Sequence, residues 1–220
     1  MDLVGCDAFF ENEKNGKTEI VHYPLNKDPK QCLNDIYYEK VGSYLWIKLL
    51  KRDFLISNNI RWADDVSMFE DVLLTTKILS KNPKIGYVNK ALYHYLLRQG
   101  SYIHSLYSLQ KTDSIFVFIK YLSDYVNDNK LDYTKDSLNT FIYCTKYYCI
   151  SHGTIKTQKK YLNVYKNINH YGNRKNTKLI YYIALKISTK NIKLAFIIIY
   201  VYTLIKCLLG KTNYKEYISN

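Results

Sequence analysis

Proline, glycine and cysteine are scarce in this chain of 220 residues: three, eight and five respectively. Correspondingly, no short-period repeat or low-complexity tract stands out, which excludes solenoid and linker-like architectures. The cysteines, at 6, 32, 144, 149 and 207, are odd in number and nowhere form a C-x-x-C pair. Zinc ribbons and dithiol redox centres are thereby excluded, and reduced thiols in a cytoplasmic protein are expected. Residues 1–7 enter a strand pattern directly, without the basic and apolar segments of a signal peptide. Acids are missing from one end. Residues 152–220 carry 13 Lys plus Arg and one acid, Glu216, a net of +12, whereas the other 151 residues carry 19 basic and 18 acidic groups, a net of +1. Two bodies are implied, one nearly neutral and one basic.

What is present divides at about residue 105. An apolar fraction of 47% is enough for a core. Before the division, 3–10 and 18–23 read as a hairpin around the turn cluster 12–17. A short helix is expected over 30–39. The apolar stretch 44–56 reads as a strand or buried turn entering a short helix, and 85–88 and 92–97 read as strands around Asn89-Lys90. After the division, 115–126, 138–150, 158–168 and 177–209 all suit helices. The expectation is therefore α/β over 1–104 and an all-helical basic region over 105–220.

The chemistry centres on Glu70-Asp71, at the mouth of a helix expected over 67 to about 81. With Ser67 as N-cap, Glu70 becomes the N3 partner of an S-x-x-E capping box. Asp71 then takes N4, a position that ordinarily holds an apolar residue stapled to N′. Its carboxylate leans toward Leu74 and Ile78. Two readings follow: a general base, or a first-turn acid favoured by the helix dipole. Burial would raise its pKa and the helix terminus would lower it, so the sequence leaves the sign open.

Three blocks in order carry a resemblance: Trp46-x-Lys48 with Lys51-Arg52-Asp53; Phe69-Glu70-Asp71; and Tyr93-His94-Tyr95-Leu96-Leu97-Arg98-Gln99-Gly100-Ser101. Over 1 to about 105 the chain resembles the C-terminal half of a family 2 glycosyltransferase with the GT-A fold, of the kind that builds capsule, O-antigen or teichoic acid. Ile47 stands where the family usually has Asn. The resemblance implies Asp71 as the base that deprotonates the acceptor hydroxyl, with Glu70 beside it. It further implies Arg98 and Ser101 as contacts to a donor diphosphate, with Trp46, Lys48 and His94 around the substrates. A UDP-sugar donor, a glycan or lipid-linked acceptor and Mg²⁺ or Mn²⁺ are implied too. The family's strand-helix nucleotide half and its D-x-D or S-x-D-D metal motif have no counterpart, so a truncated transferase without activity of its own is expected.

Each residue also has a plainer reading: Trp46 as core or acceptor wall, Lys48 as a surface base, His94 as a packed strand side chain, and Arg98 as a solvated strand-end base. For the basic region, the uncharged stretch 194–205 is 12 residues long and flanked by Lys186, Lys190, Lys193, Lys206, Lys211 and Lys215. That is short of the ~20 residues needed to span a bilayer. An interfacial helix on an anionic membrane surface is the expectation, which would place the protein on the inner face of the cell membrane. A packed helix with a solvated rim is the alternative, and no nucleic-acid motif accompanies the charge. A noncatalytic membrane-surface module, or a subunit completing another chain's site, is the rival class.

Overall fold

The computed structural model describes residues 1–97, 109–173 and 177–209. The chain is mixed α/β with a large helical region, divided into two compact units: Met1–Ser105 with Val117–Leu138, and Leu106–Phe116 with Asn139–Asn220.

The first unit is built on β1 (Leu3–Asn12). Strand β2 (Thr18–Val21) pairs antiparallel with its second half, β3 (Lys48–Leu50) pairs antiparallel with its start, and β4 (Ile85–Leu97) runs parallel along its whole length. The hairpin turn follows its sequence: Asn12 Oδ1 accepts from the Lys14 amide, Asn15 Oδ1 accepts from the Lys17 amide, and Gly16 takes φ +65°. The two strands expected around Asn89-Lys90 are in fact one. Pairing jumps from Cys6↔Val88 to Asp7↔Ala91 to Ala8↔Tyr93, so the polar dipeptide is absorbed as an exposed bulge.

Helix α1 (Pro29–Tyr37) starts at an Asp28 cap whose carboxylate accepts from the Lys30 amide, with Pro29 in the first turn. It buries Cys32, Leu33, Ile36 and Tyr37. A 3-10 turn, Leu45–Ile47, leads into β3 and then into α2 (Arg52–Ser57). Helix α3 (Glu70–Leu79) buries Val72–Leu74, Thr75, Thr76, Ile78 and Leu79, and the Tyr37 hydroxyl pairs with Thr76 Oγ1 at 3.0 Å. Helix α4 (Leu109–Asp128) contributes its later turns to this unit, where the Tyr125 hydroxyl meets Ser80 Oγ at 2.8 Å.

The second unit contains most of α5 (Lys135–Ser151), then α6 (Ile155–Tyr161), α7 (Leu179–Ser188) and α8 (Ile192–Leu208). The single helix expected over 158–168 stops at Tyr161. Tyr165 turns left-handed at φ 51°, and a 3-10 segment, Lys166–Tyr171, follows. The stretch 177–209 is also two helices rather than one. The Ser188 and Thr189 hydroxyls donate back to the Leu185 and Lys186 carbonyls, and Asn191 restarts the chain by accepting from the Leu194 amide at 3.0 Å.

Candidate functional site

Helix α3 begins later than its sequence suggests. Phe69 stands at the N-cap in the left-handed region, φ 58°, with its ring stacked on Phe118 at 5.4 Å. This breaks helical continuity after Ser67, so no capping box forms. Glu70 is the first helical residue and not the N3 partner of a cap, and its side chain finds no hydrogen-bond or ion-pair partner among the described residues. A left-handed aromatic residue costs on the order of 1–3 kcal/mol, and such strain collects at functional sites.

Asp71 sits one residue further on, held at both oxygens. The Ser43 hydroxyl donates to Oδ2 at 3.1 Å and the Val72 amide to Oδ1 at 2.8 Å. Burial raises its pKa above the usual carboxylate range, against the opposing pull of those two hydrogen bonds and the Lys48 charge. The direction left open by the sequence is thus upward. Ser43 is itself fixed from α3, because the Thr75 hydroxyl donates to its carbonyl at 3.1 Å.

Lys48 secures the same loop. Its Nζ donates to the Gly42 carbonyl at 3.1 Å and the Tyr44 carbonyl at 2.6 Å. Burial pushes its pKa down to about 8, with the Asp71 charge pulling the other way. Between Ser43 and Lys48 the chain carries Tyr44 and Trp46, whose rings stack at 5.2 Å. Trp46 also meets Tyr95 at 5.0 Å and Tyr93 at 4.7 Å, and Phe10 lies 5.0 Å from Tyr95. Tyr23 closes the cluster edge-on to both Tyr44 and Trp46. The result is an aromatic shelf beside a carboxylate, with Tyr44 and Tyr93 exposed at its surface.

His94 does not join this shelf. Strand alternation turns it to the opposite sheet face from Tyr93 and Tyr95, where it packs on Phe9 at 4.6 Å and its Nδ1 pairs with Glu11 at 2.6 Å. That face also carries Asp7, wholly buried, whose carboxylate receives the Tyr23 amide at 2.9 Å, the Tyr87 hydroxyl, and His22 Nδ1 at 2.8 Å. Burial alone would raise the Asp7 pKa. The bonds from Tyr87, Tyr23 and His22 outweigh it and hold the group low. Arg98 and Ser101 lie outside the described residues. The structure therefore gathers Trp46, Lys48 and Asp71, with Glu70 at the helix start, and sets His94 apart.

Sequence reasoning missed Ser43, which no motif marks, and Asp7, which a charged residue inside an apolar strand could have signalled. Sequence reasoning also missed the shelf tyrosines, which the Tyr-x-Tyr spacing of 93 and 95 could have signalled, since a period of two puts both on one face. Among the described residues no group of three or more His, Cys, Asp or Glu side chains is placed to hold a metal ion.

No family model matches the chain. Over 68 residues it is 37% identical to the cholesterol galactosyltransferase of Borreliella burgdorferi, a stretch covering 31% of this chain and 18% of that protein. The chain spans less than a fifth of that relative's length in the matched stretch. In this part of its length, the chain is similar to a glycosyltransferase.

Proposed function

We propose that this chain forms the acceptor-side part of a family 2, GT-A-type glycosyltransferase site of bacterial surface polysaccharide assembly. A sugar passes from a UDP-sugar to a glycan or lipid-linked acceptor at an anionic membrane surface on the cytoplasmic side. The observation that carries this reading is Asp71, a carboxylate whose pKa burial raises, fixed by Ser43 and Val72 beside the Trp46 shelf. The partial similarity to a galactosyltransferase supports the same class.

The chemistry follows from the residues. An acceptor sugar lays its apolar face on the Trp46–Tyr44–Tyr93 rings, which turns a hydroxyl toward Asp71. Asp71 takes that proton as the hydroxyl oxygen attacks the donor's anomeric carbon, and the bond to the leaving diphosphate breaks with inversion. A carboxylate with a raised pKa is better matched to this transfer, and general-base help of this kind is worth roughly 10²- to 10⁴-fold. Lys48 keeps the Ser43–Trp46 loop in register and adds positive charge near the base.

Titration of the chain with mono- and oligosaccharides, read by Trp fluorescence, tests the shelf. The expected result is a saturable change lost in Trp46→Ala and kept in Asp71→Asn. Incubation with UDP-sugars and Mn²⁺ tests the partial-site reading: metal-dependent UDP release by the chain alone would overturn it.

A further inference from the structure

The outer side of α8 is apolar and uncovered. Leu194 (46% exposed), Ile197 (54%), Val201 (47%), Ile205 (48%) and Leu208 (87%) follow one another at spacings of three and four, so they form one stripe along the helix. The opposite side is used for packing. Ala195, Ile199 and Thr203 are buried, and Tyr202 meets Tyr181 of α7 edge-on at 5.6 Å. A helix that has already buried one face ordinarily shows water a polar one. This helix does not.

The charges around the stripe say what covers it. Lys190 and Lys193 lie exposed at its N-terminal end, while Lys206 sits over the Tyr202 ring on the packed side, and no Asp or Glu occurs between residues 137 and 215. A second copy of the chain would bring the same +12 segment face to face with itself, which opposes self-association. No helix among the described residues is long and apolar enough to cross a membrane. An apolar stripe with a basic N-terminal end on a helix that does not span suits the headgroup boundary of an anionic bilayer, with the stripe facing the acyl chains.

We propose that α8 lies in the plane of an anionic membrane surface, inserting Leu194, Ile197, Val201, Ile205 and Leu208, with Lys190 and Lys193 at its N-terminal end on lipid phosphates. This deepens the membrane-surface part of the function proposed above and is independent of its catalytic part. The test is flotation of the full chain with vesicles of phosphatidylcholine alone and of an equimolar mixture with phosphatidylglycerol. Binding is expected to the anionic vesicles and to weaken about fivefold for each of Lys190→Gln and Lys193→Gln. The exposed double substitution Ile197→Glu with Val201→Glu is expected to weaken it at least about tenfold without changing the far-UV circular dichroism.

The chain failing to float, or binding that survives the double substitution, overturns the proposal. So does a concentration-dependent dimer in sedimentation that the double substitution dissolves while vesicle binding is absent, because a second copy then covers the stripe. Flotation needs no donor and no turnover, and Asp71→Asn is expected to float as the parent does. Loss of sugar binding at the shelf would therefore leave this result standing, and loss of flotation would leave the shelf.

Discussion

Replacing Lys146 with methionine is expected to flatten the pH dependence of stability in the second unit. Lys146 lies wholly buried on α5, its Nζ donating to Asn169 Oδ1 at 3.1 Å. Asn169 in turn donates to the Leu185 carbonyl at 2.8 Å and to Ser188 Oγ at 3.0 Å. Burial, with a further push from Lys166, brings the Lys146 pKa down to about 7. In the unfolded chain a lysine titrates near 10.4, so between the two values the unfolded state holds a proton that the folded state lacks. Lowering the pH through that window favours unfolding by up to about 1.4 kcal/mol per pH unit, or roughly 2 kcal/mol from about pH 9 to about pH 7, where the folded lysine is itself half protonated. Below the folded pKa both states are protonated and the loss stops. The Cys149 thiol and the Tyr143 phenol, both pushed up to about 12 by burial, act in the opposite sense once their unfolded counterparts ionise, from about pH 8.5 and about pH 10 respectively, and they do so equally in parent and variant. Denaturant unfolding of the full chain by far-UV circular dichroism reads the effect. Trp fluorescence follows the first unit separately, since Trp46 and Trp62 both lie there. The Lys146→Met substitution leaves Asn169 Oδ1 without its lysine donor, at a cost of about 1–3 kcal/mol that offsets the curve equally at every pH. The slope is the informative quantity. If Lys146→Met keeps the parent's slope, the lysine is not held neutral in the folded core and the reasoning fails.

For Asp71, carboxyl NMR titration should place the midpoint above the ordinary aspartate value, and Ser43→Ala should move it higher still by removing a hydrogen bond that favours the charged form; an ordinary midpoint refutes the buried base. Asp7 has the opposite sign: its lowered pKa contributes stability that is present above the unfolded value and lost as the pH falls through it toward the folded one. Asp7→Asn should therefore blunt acid unfolding of the first unit, as followed by Trp fluorescence. Gly153→Ala would place a Cβ 2.3 Å from the Cys149 carbonyl oxygen, backbone that cannot step aside, and should cost at least about 1–3 kcal/mol in chemical denaturation. Gly86→Ala, whose Cβ meets only side-chain atoms at 3.4 Å or more, should be nearly neutral in the same measurement.

The parts of this molecule written in local spacing were legible from its sequence. Asn12 to Lys17 announces the hairpin, and the stretch 30–39 announces a helix that the structure places at Pro29–Tyr37. What escaped depends on partners distant in the chain. Ser43 reaches Asp71 across 28 residues and Tyr87 reaches Asp7 across 80, and no local pattern encodes either meeting. The capping box at Ser67 failed for the same reason. The local rule favoured a helix from that serine, but stacking of Phe69 on Phe118 accompanies a left-handed backbone at the very residue the box would have needed in helical form. That change of register sets the surroundings of the two acids. It makes Glu70 the first residue of the helix, frees it from any capping duty, and puts Asp71 where Ser43 can reach its carboxylate. The left-handed Phe69 and the Ser43 contact to Asp71 thus go together with one late helix start, and within the proposed function they favour Asp71 over Glu70 as the base.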